Sequence, residues 1–243
     1  MRVLALDTTT RGGSVALVDE GRVVVERAGD PARTHAERLP AEILSALQEA
    51  GMSLAAVDVF AIAAGPGSFT GLRIGIATIQ GLAVVQRRRV VAVSALEALG
   101  HAASGALAPG AHVGAWMDAH RGEVFSALYR VAAAPLFSRA RLVEIDPAAV
   151  GGPASTLDRW GAGPPVDVFI GDGAAAYSGL VGERSRRVAA PLLAGTIGLI
   201  AADRARAGET LDPAGVQPLY VRRPDAEIDR ERRRERGAGS RED

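Results

Sequence analysis

Hydrophobic positions along this chain come in three short runs before any helical period appears. Residues 3–6 are apolar and stop at Asp7-Thr8-Thr9-Thr10. Residues 14–18 and 22–27 follow, divided by Asp19-Glu20-Gly21, a spacing that reads as a β-hairpin turning on glycine. The period then changes. Leu39, Ile43, Leu47 and Ala50 share one helical face, with Thr34 and Glu37 at capping-box spacing ahead of them and Gly51 suited to the helix end. Pro40 fits only if it lies in the first turn or two. A continuous apolar run over 57–63 predicts a buried strand. It leads through Gly65-Pro66-Gly67 into a helix over 70–86, a strand over 90–93 and a helix over 94–103.

The helix over 70–86 is apolar on nearly every side. Leu72, Ile76, Ile79 and Ala83 form one stripe, and Ile74, Leu82 and Val85 point elsewhere. Gly71, Gly75 and Thr78 read as a small-residue groove that lets another helix approach closely. A surface helix normally keeps one polar face, so this one is expected to cover its own sheet on one side and a partner on the other.

Beyond Gly105, Pro109 and Gly110, which suit a domain junction, the order partly repeats. Residues 112–118 read as a strand ending in an acid, as 3–7 do, and 122–130 as a second strand. Residues 131–165 are interrupted by Pro and Gly and give no clear period. A strand over 166–170 ends in Gly171-Asp172-Gly173, and a helix over 196–207 sets Ile197, Ile200, Ala201 and Arg204 on one side. The expectation is two similar α/β domains, 1–104 and 105–222. From Arg223 the chain is almost wholly charged, and 223–243 reads as a disordered tail.

Composition narrows the chemistry. All 28 basic residues are Arg, so no step can depend on lysine, and the absence of Cys excludes thiolate chemistry and a disulfide scaffold. The formal net charge is +0, which offers no global field for nucleic acid. The first apolar run is too short for a signal peptide and no stretch reads as a membrane span, so no membrane association and a cytoplasmic location are expected. Asp7 with Thr8 and Thr9 at a strand end suits Mg²⁺ held through water with hydroxyls towards phosphate, or equally an Asx turn. Gly65, Gly67 and Ser68 open a helix N-terminus, a place for an anion or simply a tight turn. None of His35, His101, His112 and His120 has the paired spacing of a helical metal site.

Leu4-Ala5-Leu6-Asp7-Thr8-Thr9, Thr34-His35-Ala36-Glu37-Arg38-Leu39-Pro40, the run from Gly65 to Gly75, Met117-Asp118-Ala119-His120-Arg121-Gly122-Glu123-Val124-Phe125 and Pro218-Leu219-Tyr220-Val221-Arg222 together resemble the TsaB (YeaZ) family. That family is the non-catalytic paralogue of TsaD in bacterial tRNA threonylcarbamoyladenosine synthesis. One departure is His120, where the family more often has Arg. The resemblance implies an α/β, actin-like ATPase (ASKHA) fold, two related domains around a cleft. It implies a dimerisation and activating subunit, without activity of its own, for the complex that forms N6-threonylcarbamoyladenosine at position 37 of tRNA. TsaD carries Val-Asn-His-x-x-x-His, whose histidines bind its metal. The equivalent stretch here runs from Val93 to Leu99 and sets Ala95 and Leu99 at the ligand positions, so no metal and no catalytic residue is assigned.

On this reading the partner interface comprises Leu39, Ile43, Leu47, Gly71, Leu72, Gly75, Ile76, Thr78, Ile79 and Leu82. The candidate nucleotide or anion contacts are Asp7, Thr8, Thr9, Gly65, Gly67 and Ser68, with ATP or ADP and Mg²⁺ as candidate ligands. TsaD is the expected partner, TsaE (an ATPase) joins the complex, tRNA is met indirectly, and a homodimer forms when the chain is alone. The alternatives are a stand-alone metallopeptidase of the glycoprotease superfamily and an ATP-dependent small-molecule kinase.

Overall fold

The computed structural model describes residues 1–181 and 185–222. The charged segment 223–243, read above as a tail, lies outside the described residues.

Two five-stranded sheets share one topology. In the first, β1 (Arg2–Asp7), β2 (Ser14–Asp19) and β3 (Arg22–Ala28) run antiparallel, while β4 (Val59–Gly65) and β5 (Arg89–Ser94) join β1 in parallel, giving the order β3-β2-β1-β4-β5. In the second, β6 (His112–Asp118), β7 (Val124–Val131) and β8 (Leu142–Gly151) are antiparallel, and β9 (Val168–Ile170) and β10 (Arg186–Val188) are parallel to β6. The helices repeat too. Helix α1 (His35–Glu49) precedes β4 as α4 (Pro153–Gly161) precedes β9. Helix α2 (Phe69–Gln86) follows β4 as the short α5 (Asp172–Ala176) follows β9, and α3 (Ala95–Ser104) and α6 (Ala194–Arg206) follow the last strand of each sheet. The fold is α/β, of the actin-like ATPase class expected from the sequence.

Helix α6 packs on the first sheet and α3 chiefly on the second, and the two helices touch. They share one core: Val3, Ala5 and Val18 from one sheet meet Ala115, Met117 and Phe125 from the other through Leu96, Leu99, Ile197 and Ile200. Charge ties the same helices, since Arg204 donates to Glu97 Oε1 (2.5 Å) and to the Ala92 carbonyl. At the start of α6, the Gly195 N–H donates to Glu26 (2.6 Å) and the Ala194 N–H to Ser14 Oγ (3.0 Å), setting a carboxylate against a helix N-terminus. Residues 104–110, read as a domain junction, are tied to 132–134 by Arg141, which donates to the carbonyls of Ser104, Leu107, Ala132 and Ala134.

On the outer face of the first sheet, α1 and α2 bury Leu39, Ile43, Leu47, Ile76, Ile79 and Ala83 over Leu4, Leu6, Phe60 and Ile62. The structure corrects the expectation that no stretch resembles a membrane span. Helix α2 has 18 residues with a mean hydropathy of 1.2, long and apolar enough by length and composition alone. Its large side chains on one face are spent on the sheet.

Candidate functional site

The ends of β1, β4 and β6 and the residue after β9 converge on an open cleft of about 1170 Å³ between the two lobes. Sites at the carboxyl ends of parallel strands are the usual ones in such sheets. On one wall, Asp7 Oδ1 accepts from the Thr9 N–H (2.9 Å) and the Thr9 hydroxyl (2.6 Å). On the other, Asp118 Oδ1 accepts from the His120 N–H (2.9 Å), the same turn in the second lobe. The likeness extends to the following strands: Gly65 ends β4 with φ 117° and Gly171 follows β9 with φ 119°. Asp172 Oδ1 accepts from the N–H groups of Asp118 (3.0 Å) and Gly173 (2.9 Å), so its carboxylate splices β6 to β9.

Burial pushes the Asp7 carboxyl above its usual range, and nearby Asp172 adds to this against the hydrogen bonds from Thr9 and the pull of His35. Asp7 lines a second, smaller cavity of about 410 Å³, which it shares with Asp172.

The loop after β1 is fixed by the first turn of α1. His35 Nε2 lies 3.0 Å from the Thr10 carbonyl and Nδ1 lies 2.7 Å from Arg38 Nη2. A guanidinium can only donate, so Nδ1 accepts and Nε2–H donates to Thr10, which makes the ring neutral. Burial, then Arg38, lowers the His35 pKa, in agreement. Arg38 is 2% exposed and also donates to the Arg11 and Gly12 carbonyls and to Glu42 (2.6 Å). Glu37 accepts from the Thr34 N–H (2.8 Å) and hydroxyl (2.7 Å), the arrangement that the capping-box spacing predicts. Sequence reasoning gave His35 no role in the site and missed Arg38. Nothing in the pattern shows that carbonyl acceptors surround a buried guanidinium 26 residues away from Gly12.

Of the candidate ligand contacts, Thr9, Gly67 and Ser68 line the cleft. Asp7 is turned towards the smaller cavity. Thr8 is fully buried, its hydroxyl without a hydrogen-bond partner and packed against α2. Gly65 is covered by the Leu219 carbonyl, 2.9 Å from where a Cβ would stand. Thr8 and Gly65 therefore do not reach a cleft ligand. The turn's donors are partly spent internally, with the Ser68 N–H on the Thr9 carbonyl (2.8 Å) and the Gly71 N–H on Ser68 Oγ (3.2 Å). What remains is a cleft of mixed apolar and polar lining, with Arg11 and Arg33 at the first-lobe rim and Arg73 and Arg222 already engaged by Tyr220 and Glu123. Among the described residues, no three His, Cys, Asp or Glu side chains converge where a metal could sit. Ala95 and Leu99 are buried in the apolar core shared by the lobes.

The expected interface residues are also re-sorted. Leu39, Ile43, Leu47, Leu72, Ile76 and Ile79 are buried in the chain's own fold, and so are Gly71 and Gly75, which close on Thr8. They cannot form the outer groove expected of them. In a helix apolar all round, the large side chains go to the sheet, and the sequence does not mark which small residues remain outside. Only Thr78 and Leu82 of that set are half-exposed; the exposed positions of α2 are instead Phe69, Thr70, Arg73, Ala77, Gly81, Val84 and Val85, and Leu44 is exposed on α1.

Two lobes of one topology, locked by α3 and α6 and open at the strand ends, define a two-domain protein of the actin-like ATPase class. The family model described as "TsaD: tRNA N6-adenosine threonylcarbamoyltransferase" matches residues 27–155. A solved structure titled YeaZ from Pseudomonas aeruginosa is 31% identical with a TM-score of 0.73, covering 90% of this chain and 99% of that one. Another from that organism, titled an uncharacterized protein with similarity to peptidase YEAZ, is 33% identical with a TM-score of 0.76, covering 91% and 99%. Among curated proteins, the tRNA threonylcarbamoyladenosine biosynthesis protein TsaB of Escherichia coli (strain K12) is 39% identical over 133 residues. That match takes in 54% of this chain and 55% of the length of the E. coli protein. The chain belongs to the TsaB (YeaZ) family.

Proposed function

We propose that this chain is a non-catalytic subunit that docks on and supports the TsaD-type transferase in forming threonylcarbamoyladenosine at position 37 of tRNA, in the cytoplasm. The observation that carries the reading is the outward face of α2. Val84 and Val85 are 63% and 75% exposed, and Ala77 and Gly81 beside them leave a surface on which a second helix can sit closely. Apolar Ala95 and Leu99, at the positions where the resemblance sets the transferase's metal-binding histidines, support a role in assembly over chemistry. The same face serves a homodimer when the chain is alone. An ATPase of the TsaE kind joins the assembled complex, and ATP or ADP is the candidate occupant of the cleft.

The test is reconstitution of tRNA modification with TsaD, with and without this chain, beside a binding measurement. Gly81 has open space around it, so Gly81→Arg leaves the fold intact and weakens partner binding by about tenfold or more, roughly 1.4 kcal/mol. Undiminished modification without the chain, or wild-type affinity in Gly81→Arg, rejects the reading.

A further inference from the structure

The last described residues cross the mouth of the cleft. Val216 closes on the outer core of the first lobe. The Leu219 N–H donates to the Ala64 carbonyl (2.7 Å), at the end of β4. Tyr220 stacks on Phe69 with centroids 5.2 Å apart, and Arg73 covers Phe69 at 3.9 Å while its Nε donates to the Tyr220 hydroxyl (3.1 Å). Two residues later the chain is bound to the other lobe. Arg222 donates to the Ala119 carbonyl (2.7 Å) and to Glu123, with Phe125 beneath its guanidinium at 5.6 Å.

We propose that residues 218–222 are a latch that holds the two lobes at one separation across the cleft. The four residues from Leu219 to Arg222 reach at most about 14 Å, so a chain fixed at both leaves little slack. The lobes are otherwise joined through α3 and α6, packed between the two sheets. The two ends of the latch differ in kind. The first-lobe end is a backbone hydrogen bond plus an aromatic and cation–π stack. The second-lobe end runs through one side chain, Arg222, which pairs with Glu123 (23% and 40% exposed), donates to the Ala119 carbonyl and lies over Phe125. All these contacts depend on one partly exposed guanidinium, and its ion pair is weak and screened by salt, so the latch releases at Arg222 and the cleft widens on the side of Asp118 and Phe125.

The chain has no Cys, which makes site-directed labelling clean. Spin labels at Ala32→Cys and His120→Cys, on opposite walls of the cleft, report its width by dipolar spectroscopy. In the full chain the distance distribution is narrow. Arg222→Ala shifts it to longer distances and broadens it, and so does 1 M salt with Arg222 intact. Amides of residues 64–73 keep their wild-type hydrogen exchange in Arg222→Ala, because that end stays attached, and exchange about tenfold faster in Tyr220→Ala. A distribution unchanged both in Arg222→Ala and in 1 M salt overturns the latch. The measurement uses no partner, so it is independent of the docking reading.

Discussion

Gly75→Ala lowers the stability of this chain by about 2 kcal/mol, whereas Gly81→Ala, six residues along the same helix, raises it by up to about 1 kcal/mol. At Gly75 a Cβ stands 2.2 Å from Thr8 Oγ1, 2.9 Å from Thr8 Cγ2 and 3.1 Å from Ile62 Cδ1. Thr8 directly follows β1 and Ile62 lies within β4, both buried under α2, so the helix can make room only by lifting from the sheet. At Gly81 a Cβ meets nothing within 4 Å, and the substitution only removes backbone freedom from the unfolded chain. The contact itself can be isolated. Thr8→Ala removes the two nearest atoms, together with a buried hydroxyl that has no hydrogen-bond partner. The double variant Thr8→Ala/Gly75→Ala is therefore more stable than the sum of the single changes predicts, with a coupling of about 1 kcal/mol or more in urea titrations. Strict additivity sinks this account. Gly75→Leu is worse still, about 3 kcal/mol or more, and weakens partner docking only by unfolding the helix that docks.

That pair of glycines shows where sequence reasoning stopped. Strands β1 to β5 and helices α1 to α3 were legible because their periods run unbroken and their caps are explicit: Thr34 with Glu37, and Ser68 at the start of α2. The repeat of strand, acid and hairpin was legible at Asp7 and Asp118 for the same reason. Residues 131–165 were not. They hold β8, an edge strand that is mostly half-exposed and contains Pro147, and α4, which starts at Pro153 directly behind two glycines. Only Leu142, Ala148 and Val150 of this edge strand pack on the shared core, and that sparse burial leaves no alternation to read. In the site, the Gly65–Ser68 turn was legible, but the inward direction of Thr8 and the burial of Gly71 and Gly75 follow from which stripe of an all-apolar helix meets the sheet. Tertiary fit decides that. The latch was visible only as a motif, since its contacts with Phe69 and Arg73 close about 150 residues of chain.

The repeat also shows where the two lobes differ. The second-lobe counterpart of α2 is α5, five residues long, against 18 in α2. The short α5 keeps the glycine turn at Gly171 but offers no long helical face. Both lobes thus line the cleft, while the long apolar helix after the glycine turn belongs to the first.

Between pH 6.5 and pH 4 the chain loses about 3 kcal/mol of stability through one side chain, and His101→Leu removes most of that loss. His101 sits on α3 in the core shared by the lobes, 1% exposed, and neither ring nitrogen has a hydrogen-bond partner. Burial first, then Arg204 and Arg141, lowers its pKa from 6.5 to about 4. Glu97 does not offset them: its Oε1 is 3.9 Å from Nε2 and is already engaged by Arg204 at 2.5 Å. The unfolded chain titrates this group near 6.5, so between 6.5 and 4 the unfolded state binds the extra proton. Its contribution is therefore fully present above pH 6.5 and is lost as pH falls towards the folded value, by up to about 1.4 kcal/mol per unit. His35, also lowered, adds a slope of the same sign; Asp7 and Glu26, both raised by burial, oppose it. The quantity to measure is thus the difference between wild type and His101→Leu in urea unfolding at each pH. Leucine fills a similar volume without the two unpartnered nitrogens, so at pH 7 the variant is at least as stable as wild type. Between pH 6.5 and 4 its advantage grows steadily. Parallel stability curves for the two proteins across that window would show that His101 is not the group that senses acid.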